Sequence, residues 1–259
     1  YLANNASIVI VGDISPKEAE IKVNQYLGRW SSGDIQTSEV PTPNKRTSRD
    51  IYIVDKPGAP QSVIIMGNLG IKRNDPDYLA TYVMNTALGS QFTSRLNMNL
   101  REDKGYTYGT GSFFSSRKGV GPFGCYAPVQ TKYTKEAIKE MIKELTDITK
   151  SRPLSNQEVE NTKRNLINKF PRKFEGLSAI SDEASDLVMY NLPEFDWQLY
   201  MEKVNSITGK MATQAAKDHI HPDNLLIVVV GDRDAIENDI KSLNLGDIYY
   251  LDQNGEPIN

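Results

Sequence analysis

Apolar positions along the chain follow two different rhythms, and the switches between them set the predicted elements. Short runs rich in β-branched residues flank Lys56-Pro57-Gly58: Ile51–Val54 on one side and Gln61–Gly67 on the other. Both predict strands, and the apolar SVIIMG run places the second centrally in a sheet. Thr107–Ser115 and Gly121–Val129 read as a strand pair joined around Arg117-Lys118-Gly119. Elsewhere the spacing becomes helical. Asp75-Pro76 opens a helix running through Leu88, with Met84, Ala87 and Leu88 on one core-facing side. Ile138, Met141, Ile142, Leu145 and Ile148 recur along Thr134–Lys150, and Ser155 with Glu158 forms a capping box that opens a helix to about Phe170. Further helices are predicted near Ser178–Tyr190, Phe195–Asn205 and Thr208–His219. This order predicts an α+β fold with a mostly antiparallel sheet covered by helices.

The two ends of the chain resemble each other. NNASIVIVGD near the start and PDNLLIVVVGD near the end each place an apolar run before Gly-Asp, at Gly12 and Gly231, and a helical segment follows each. The first copy predicts a buried strand, Ile8–Val11, then a helix capped by Ser15 and Glu18 with Pro16 at its first position. Similarity at domain-length spacing points to duplication rather than to a short solenoid repeat. Residues 1–32 are therefore expected to close an upstream domain. Residues 33–50, with Pro41, Pro43 and many polar residues, form the expected linker, and 51–259 a complete second domain.

Composition narrows the function classes. A net charge of −3 on 259 residues gives no basic surface for nucleic acid or anionic membrane. No apolar run approaches the roughly 20 residues of a membrane-spanning helix. The single cysteine, Cys125, cannot form an intrachain disulfide, and in a strand-like run it reads as a buried, inert thiol.

Reactive side chains concentrate in LREDKGYTYG, Leu100–Gly109. Gly105 marks the end of a helix and the start of a turn, with Arg101 before it and Tyr108 after it. A guanidinium fork and a phenol aimed at one spot suit a peptide carbonyl or an oxyanion. The same pair also fits an ordinary surface cation and a half-buried strand tyrosine. The longer run MNTALGSQFTSRLNMNLREDKGYTYG resembles the second-half signature of the insulinase, or pitrilysin-type, zinc metallopeptidases. The resemblance rests on Leu88, Gly89, Ser94, Arg95, Leu96, Leu100, Arg101, Glu102, Lys104, Gly105 and Tyr108. Both Gly-Asp strands likewise resemble the strand that closes each half of that fold.

The resemblance implies a division of labour. Arg101 would hold a backbone carbonyl of a peptide substrate, and Tyr108 would hydrogen-bond the scissile carbonyl. Zinc would be bound elsewhere, because this chain lacks the family's inverted His-x-x-Glu-His motif. Its two histidines, His219 and His221, stand two apart beside Pro222 and read as structural. No metal or cofactor site is expected in this chain. The expected partners are a zinc-bearing domain of the same protein or a homologous subunit, and a peptide substrate. The alternative is a scaffold or binding subunit that keeps the fold without the chemistry. The sequence does not fix the compartment; bacterial members of the resembled family point to the periplasm or cell envelope.

Overall fold

The computed structural model describes residues 1–36, 41, 43–194 and 196–258. The elements are α1 (Pro16–Leu27), β1 (Asp50–Asp55), β2 (Gln61–Leu69), α2 (Tyr78–Asn85), β3 (Gly111–Phe114), β4 (Pro122–Gln130), α3 (Thr134–Thr149), α4 (Asn156–Lys169), α5 (Leu177–Tyr190), α6 (Asp196–Ser206), α7 (Gly209–His219), β5 (Leu226–Gly231), α8 (Arg233–Lys241), β6 (Asp247–Leu251) and β7 (Pro257–Ile258). They divide into two compact units. Tyr1–Pro41 with Asn165–Glu202 forms one, and Thr42–Arg164 with Lys203–Asn259 forms the other.

The larger unit is built on a seven-stranded sheet in the order β3-β4-β2-β5-β1-β6-β7. β2 pairs antiparallel with β4 and β5, β3 with β4, and β6 with β7, whereas β1 runs parallel to both β5 and β6. The sheet is thus mixed and mostly antiparallel, with β2 inside it as its apolar run predicts. Ser62, Ile64 and Met66 of β2 are buried, as are Ile51 and Ile53 of β1 and Ile227 and Val229 of β5. Ala137, Ile138, Met141, Leu145 and Ile148 of α3 are buried as well, and α3 contacts β2 and β4. α7 packs on α2 and α3. Burying each large side chain of this layer contributes about 1.5–3 kcal/mol.

The alternate residues of the strands point the other way. Val63 and Ile65 of β2, Phe113 of β3, Tyr126 of β4 and Tyr249 of β6 are all exposed. Side chains alternate across a strand, so these residues carpet the second face of the sheet. A sheet face of this composition at water is unusual for a finished surface.

Several local expectations hold in detail. Ser15 and Glu18 make the reciprocal capping box, with Pro16 at the first helical position. The Glu158 carboxylate accepts from Ser155 N and Oγ, both at 2.8 Å, at the start of α4. Thr208 caps α7 through Met211 N. Cys125 is fully buried, and burial pushes its thiol far above the ordinary range.

Others do not hold. Ile8–Val11 forms no strand, and Ile8 and Ile10 are exposed. A strand is stabilised by a neighbour that completes its ladder, and the described residues of its unit form only helices and connecting segments. The helix opened by Asp75 starts at Tyr78, because Asp75 Oδ1 accepts from Asp77 N at 2.9 Å and holds a turn there instead. Past Asn85 the helix widens into a π-helical turn, Thr86–Ser90. β6 and β7 have no counterpart among the elements predicted from sequence. Thr37–Val40 and Thr42, within the expected linker, lie outside the described residues, as does Phe195 at the predicted start of α6.

Two contacts fix the larger unit around this π-helical turn. Gly89 lies against β3 so closely that a Cβ on it would fall 2.3 Å from Ser112 Oγ and 2.4 Å from Ser112 N. Arg95, buried, donates through Nε and Nη2 to both carboxylate oxygens of Glu158 at 2.7 and 3.0 Å, and also to the carbonyls of Arg152 and Pro153. Burial opposes ionisation of Glu158, but Arg95 and Ser155 outweigh it and hold the carboxyl at about 2.

Gly89→Ala is expected to destabilise the fold by about 1–3 kcal/mol through overpacking against β3, seen as a lower melting temperature. An unchanged melting temperature would show that the contact yields freely. The Arg95–Glu158 pair gives a pH signature, because a depressed carboxyl contributes stability above its ordinary 4.5 that is lost as pH falls toward about 2. Glu158→Gln should therefore be less stable than the parent near about pH 6, with the gap narrowing by about pH 3 in urea unfolding.

Candidate substrate-facing site

The chain between α2 and β3 carries the predicted site, and its buried residues explain how the site is held. Leu96 and Leu100 are fully buried and Ser94 lies beneath the surface, so this segment is anchored from below. A second π-helical segment, Asn97–Asp103, follows. Asn99 Nδ2 donates to Glu140 and Glu144 of α3 at 2.9 and 2.8 Å, tying this segment to the helical layer. The helix ends at Gly105, whose φ of +64° is the left-handed conformation that glycine adopts without steric cost. Gly105 N donates to Arg101 O at 3.2 Å, and Tyr106 N donates to Leu100 O at 2.9 Å.

The return to β3 is braced at several points. Thr107 Oγ1 accepts from Gly109 N at 3.1 Å and donates to Gly109 O at 2.9 Å, closing a small ring around Tyr108. Thr110 N donates to Asn97 Oδ1 at 3.2 Å, and Thr110 Oγ1 donates to Tyr126 O at 2.5 Å. Ser112 O accepts from Asn85 Nδ2 at 3.2 Å and from Ser90 Oγ at 2.7 Å, which closes off part of this outer strand's free edge. Strand structure begins only at Gly111, so Tyr106 and Tyr108 belong to a loop and not to the predicted strand.

The two tyrosines part ways within this loop. Tyr106 stacks on Tyr133 with ring centroids 4.6 Å apart. Tyr108 is 92% exposed, and its hydroxyl has no hydrogen-bond partner among the described residues. Arg101 lies near the end of the second π-helical segment, its side chain 37% exposed. Its guanidinium sits over the Phe92 ring, 4.6 Å from the centroid, and Nε lies 3.4 Å from Glu102 Oε1. Sequence reading singled out Arg101 and Tyr108 but missed Phe92, whose stacking with Arg101 depends on the path of the chain between two π-helical segments. Arg101 and Tyr108 lie on the two sides of the Gly105 turn, with no hydrogen bond between them among the described residues. Each retains donor capacity, and neither is sunk in the core.

The two histidines have different surroundings, since α7 ends at His219 and His221 lies beyond it. His219, at the end of α7, lies 3.2 Å through Nε2 from Asp77 Oδ2. Asp75 completes a group whose potential ligand atoms lie within 4.8 Å of one another. That donor set has one imidazole, already engaged by the half-exposed carboxylate of Asp77, the residue at the start of α2. It does not fit the two-imidazole helix of an inverted-motif zinc peptidase. His221 lines a cavity on the open face of the sheet.

Comparison with known proteins identifies the family. A family model described as the peptidase M16 inactive domain matches residues 1–166. A zinc protease of Streptomyces coelicolor is 34% identical over 101 residues, covering 38% of this chain and 22% of the relative. The zinc protease YmxG of Bacillus subtilis is 25% identical over 167 residues, 64% of this chain and 39% of its own. Among solved structures, a peptidase M16 inactive domain from Pseudomonas fluorescens superposes with a TM-score of 0.77 at 25% identity, over 85% of this chain and 52% of that one. A Helicobacter pylori protease shares the fold at a TM-score of 0.76 and 17% identity, over 85% and 54%. The chain thus spans about half the length of these solved relatives and two fifths or less of the curated ones. With the family model covering well over half of its 259 residues, the chain belongs to the peptidase M16 inactive-domain family of zinc protease-like proteins.

Proposed function

We propose that this chain is the substrate-binding carboxy-terminal part of a zinc-dependent endopeptidase, supplying Arg101 and Tyr108 to an active site completed by another domain or subunit. The observation that carries the reading is the state of Tyr108: a solvent-facing phenol with no internal partner, on a loop braced by Thr107, Gly105 and Asn97. A ring held outward on a fixed loop gives up the burial an inward ring would gain, and its hydroxyl stays free to donate to an arriving acceptor.

In this reading the phenol donates to the scissile carbonyl oxygen as it becomes tetrahedral, and the guanidinium holds a neighbouring backbone carbonyl. Phe92 beneath Arg101 limits the positions the guanidinium can take, so its fork is partly pre-arranged before substrate arrives. The apolar open face of the sheet then forms the wall along which an extended peptide runs. The zinc belongs to the facing domain or homologous subunit, because the histidines of this chain do not assemble a catalytic site. A scaffold role for the same fold makes the opposite prediction at Tyr108, so one experiment separates the two.

Tyr108→Phe, assayed in the assembly that contains the zinc-bearing partner, should leave the melting temperature unchanged and lower peptide turnover by about 10²–10³-fold. Full activity would remove Tyr108 from the chemistry and favour the scaffold role. Equilibrium dialysis of the chain by itself should show no stoichiometric zinc. Tight one-to-one binding would mean that the Asp75, Asp77 and His219 group has been misjudged.

A further inference from the structure

The open face of the sheet is not uniform. Over β2, β4 and β5 it sinks into a cavity of about 530 Å³, wholly within the larger unit. Its floor and walls are Ile65, Leu69, Phe113, Leu226 and Val228. Gly67, on the outward side of β2, opposes Gly124 of β4 in the ladder, and the Phe113 ring lies over Gly124 to form one wall of the cavity. This volume accommodates one large apolar side chain with a stretch of extended backbone.

The rim is chemically different from the floor. Lys45 and His221 both border the cavity, and neither side chain has a hydrogen bond or ion pair among the described residues. His221 is fixed in place by Asn68, whose Oδ1 accepts from His221 N at 3.0 Å while its Nδ2 donates to the carbonyls of His219 and Leu69. Burial, and after it the charge of Lys45 and the neighbouring His219, holds the His221 imidazole below its ordinary value, with Asp218 opposing. Arg46, also at the rim, is paired with Asp50. Nearby Asp223 is paired with Arg49 and Lys150. The result is an apolar hollow with an unneutralised ammonium at its edge.

We propose that this cavity anchors the carboxy-terminal end of a peptide, its last side chain large and apolar in the hollow and its terminal carboxylate on Lys45 and His221. This deepens the reading above, since it rests on peptides crossing the open face. It adds a preference for an apolar terminal residue with a free carboxylate. Charge complementarity at the rim selects the anion.

The test uses a fluorescein-labelled peptide of about ten residues ending in Phe, as free acid and as amide, titrated with the 259-residue chain by fluorescence anisotropy. The free acid should bind about tenfold or more tightly than the amide. Lys45→Gln, at an exposed position, should bring the two forms close to parity, and Val228→Phe, filling the hollow, should weaken both. Equal binding of acid and amide by the parent chain overturns the proposal, as does a Lys45→Gln variant that keeps the full preference. Decanoate included as a competitor separates the other apolar anion. Tight decanoate binding without a terminal-carboxylate preference among peptides would assign the cavity to a fatty acid and also overturn it. Binding is read without turnover, so an active Tyr108→Phe enzyme that still prefers the free acid would defeat the donor assignment and leave the anchor standing.

Discussion

The contact between Gly89 and Ser112 is the constraint on which the candidate site depends. A π-helical turn has to lie against the outermost strand with no side chain between them, and the hydrogen-bonding groups of both have to be satisfied there. Asn85 and Ser90 meet the second demand by donating to Ser112 O, while Ser112 Oγ donates to Asn85 Oδ1 at 2.7 Å. Widening of the helix beyond Asn85 brings these groups to the strand. The chain must then travel from this contact to β3 through Arg95, Leu100 and Gly105. Arg101 and Tyr108 lie on this stretch, beside the exposed Glu102, Asp103 and Lys104, so their placement is a consequence of how one helix is closed onto one strand.

The second constraint is one-sidedness. Helices α2, α3 and α7 lie in a layer with the buried alternation of β2, β1 and β5, and the other alternation of the same strands is almost as apolar. A strand whose two faces are both apolar is expected in a sheet covered on both sides. Val63, Ile65, Phe113 and Tyr126 make this open face apolar as well. The proposed function uses that surface as the wall along which a peptide runs. It is also where Lys45 and His221 border the cavity.

Local chemistry was legible in the sequence wherever the cause was local. The capping boxes at Ser15 and Ser155, the helical spacing of α3, the interior character of β2 and the buried thiol of Cys125 all depend on residues a few positions apart. The errors arose where a distant partner decides the outcome. Ile8–Val11 has the composition of a buried strand, but a strand is a property of two segments, and its pairing cannot be read from one. The π-helical turns at Thr86 and Asn97 look like ordinary helix in spacing, since one extra residue per turn is set by what the helix must reach. β6, with the run Asp-Ile-Tyr-Tyr-Leu, was too short to announce itself and gains its place by pairing in parallel with β1. Arg101 and Tyr108 stood out through the motif, whereas Phe92 and the Lys45–His221 rim are assembled only by the fold.

The treatment of the two tyrosines is the strongest internal argument about what this loop is for. Tyr106 and Tyr108 are two residues apart in one turn, of the same chemistry and equally available to the core. The fold stacks Tyr106 on Tyr133 and sends Tyr108 into solvent. A loop optimised only for stability would gain by tucking both rings away, since burying an aromatic ring is among the larger favourable contributions a side chain makes. Instead Thr107 locks the backbone on either side of Tyr108 in a geometry that keeps the ring out. Arg101, stacked on Phe92 but still able to donate, is held on the same principle. Anchored neighbours on both sides of Gly105 thus leave Arg101 and Tyr108 with donor capacity at the surface, the feature on which the proposed function turns.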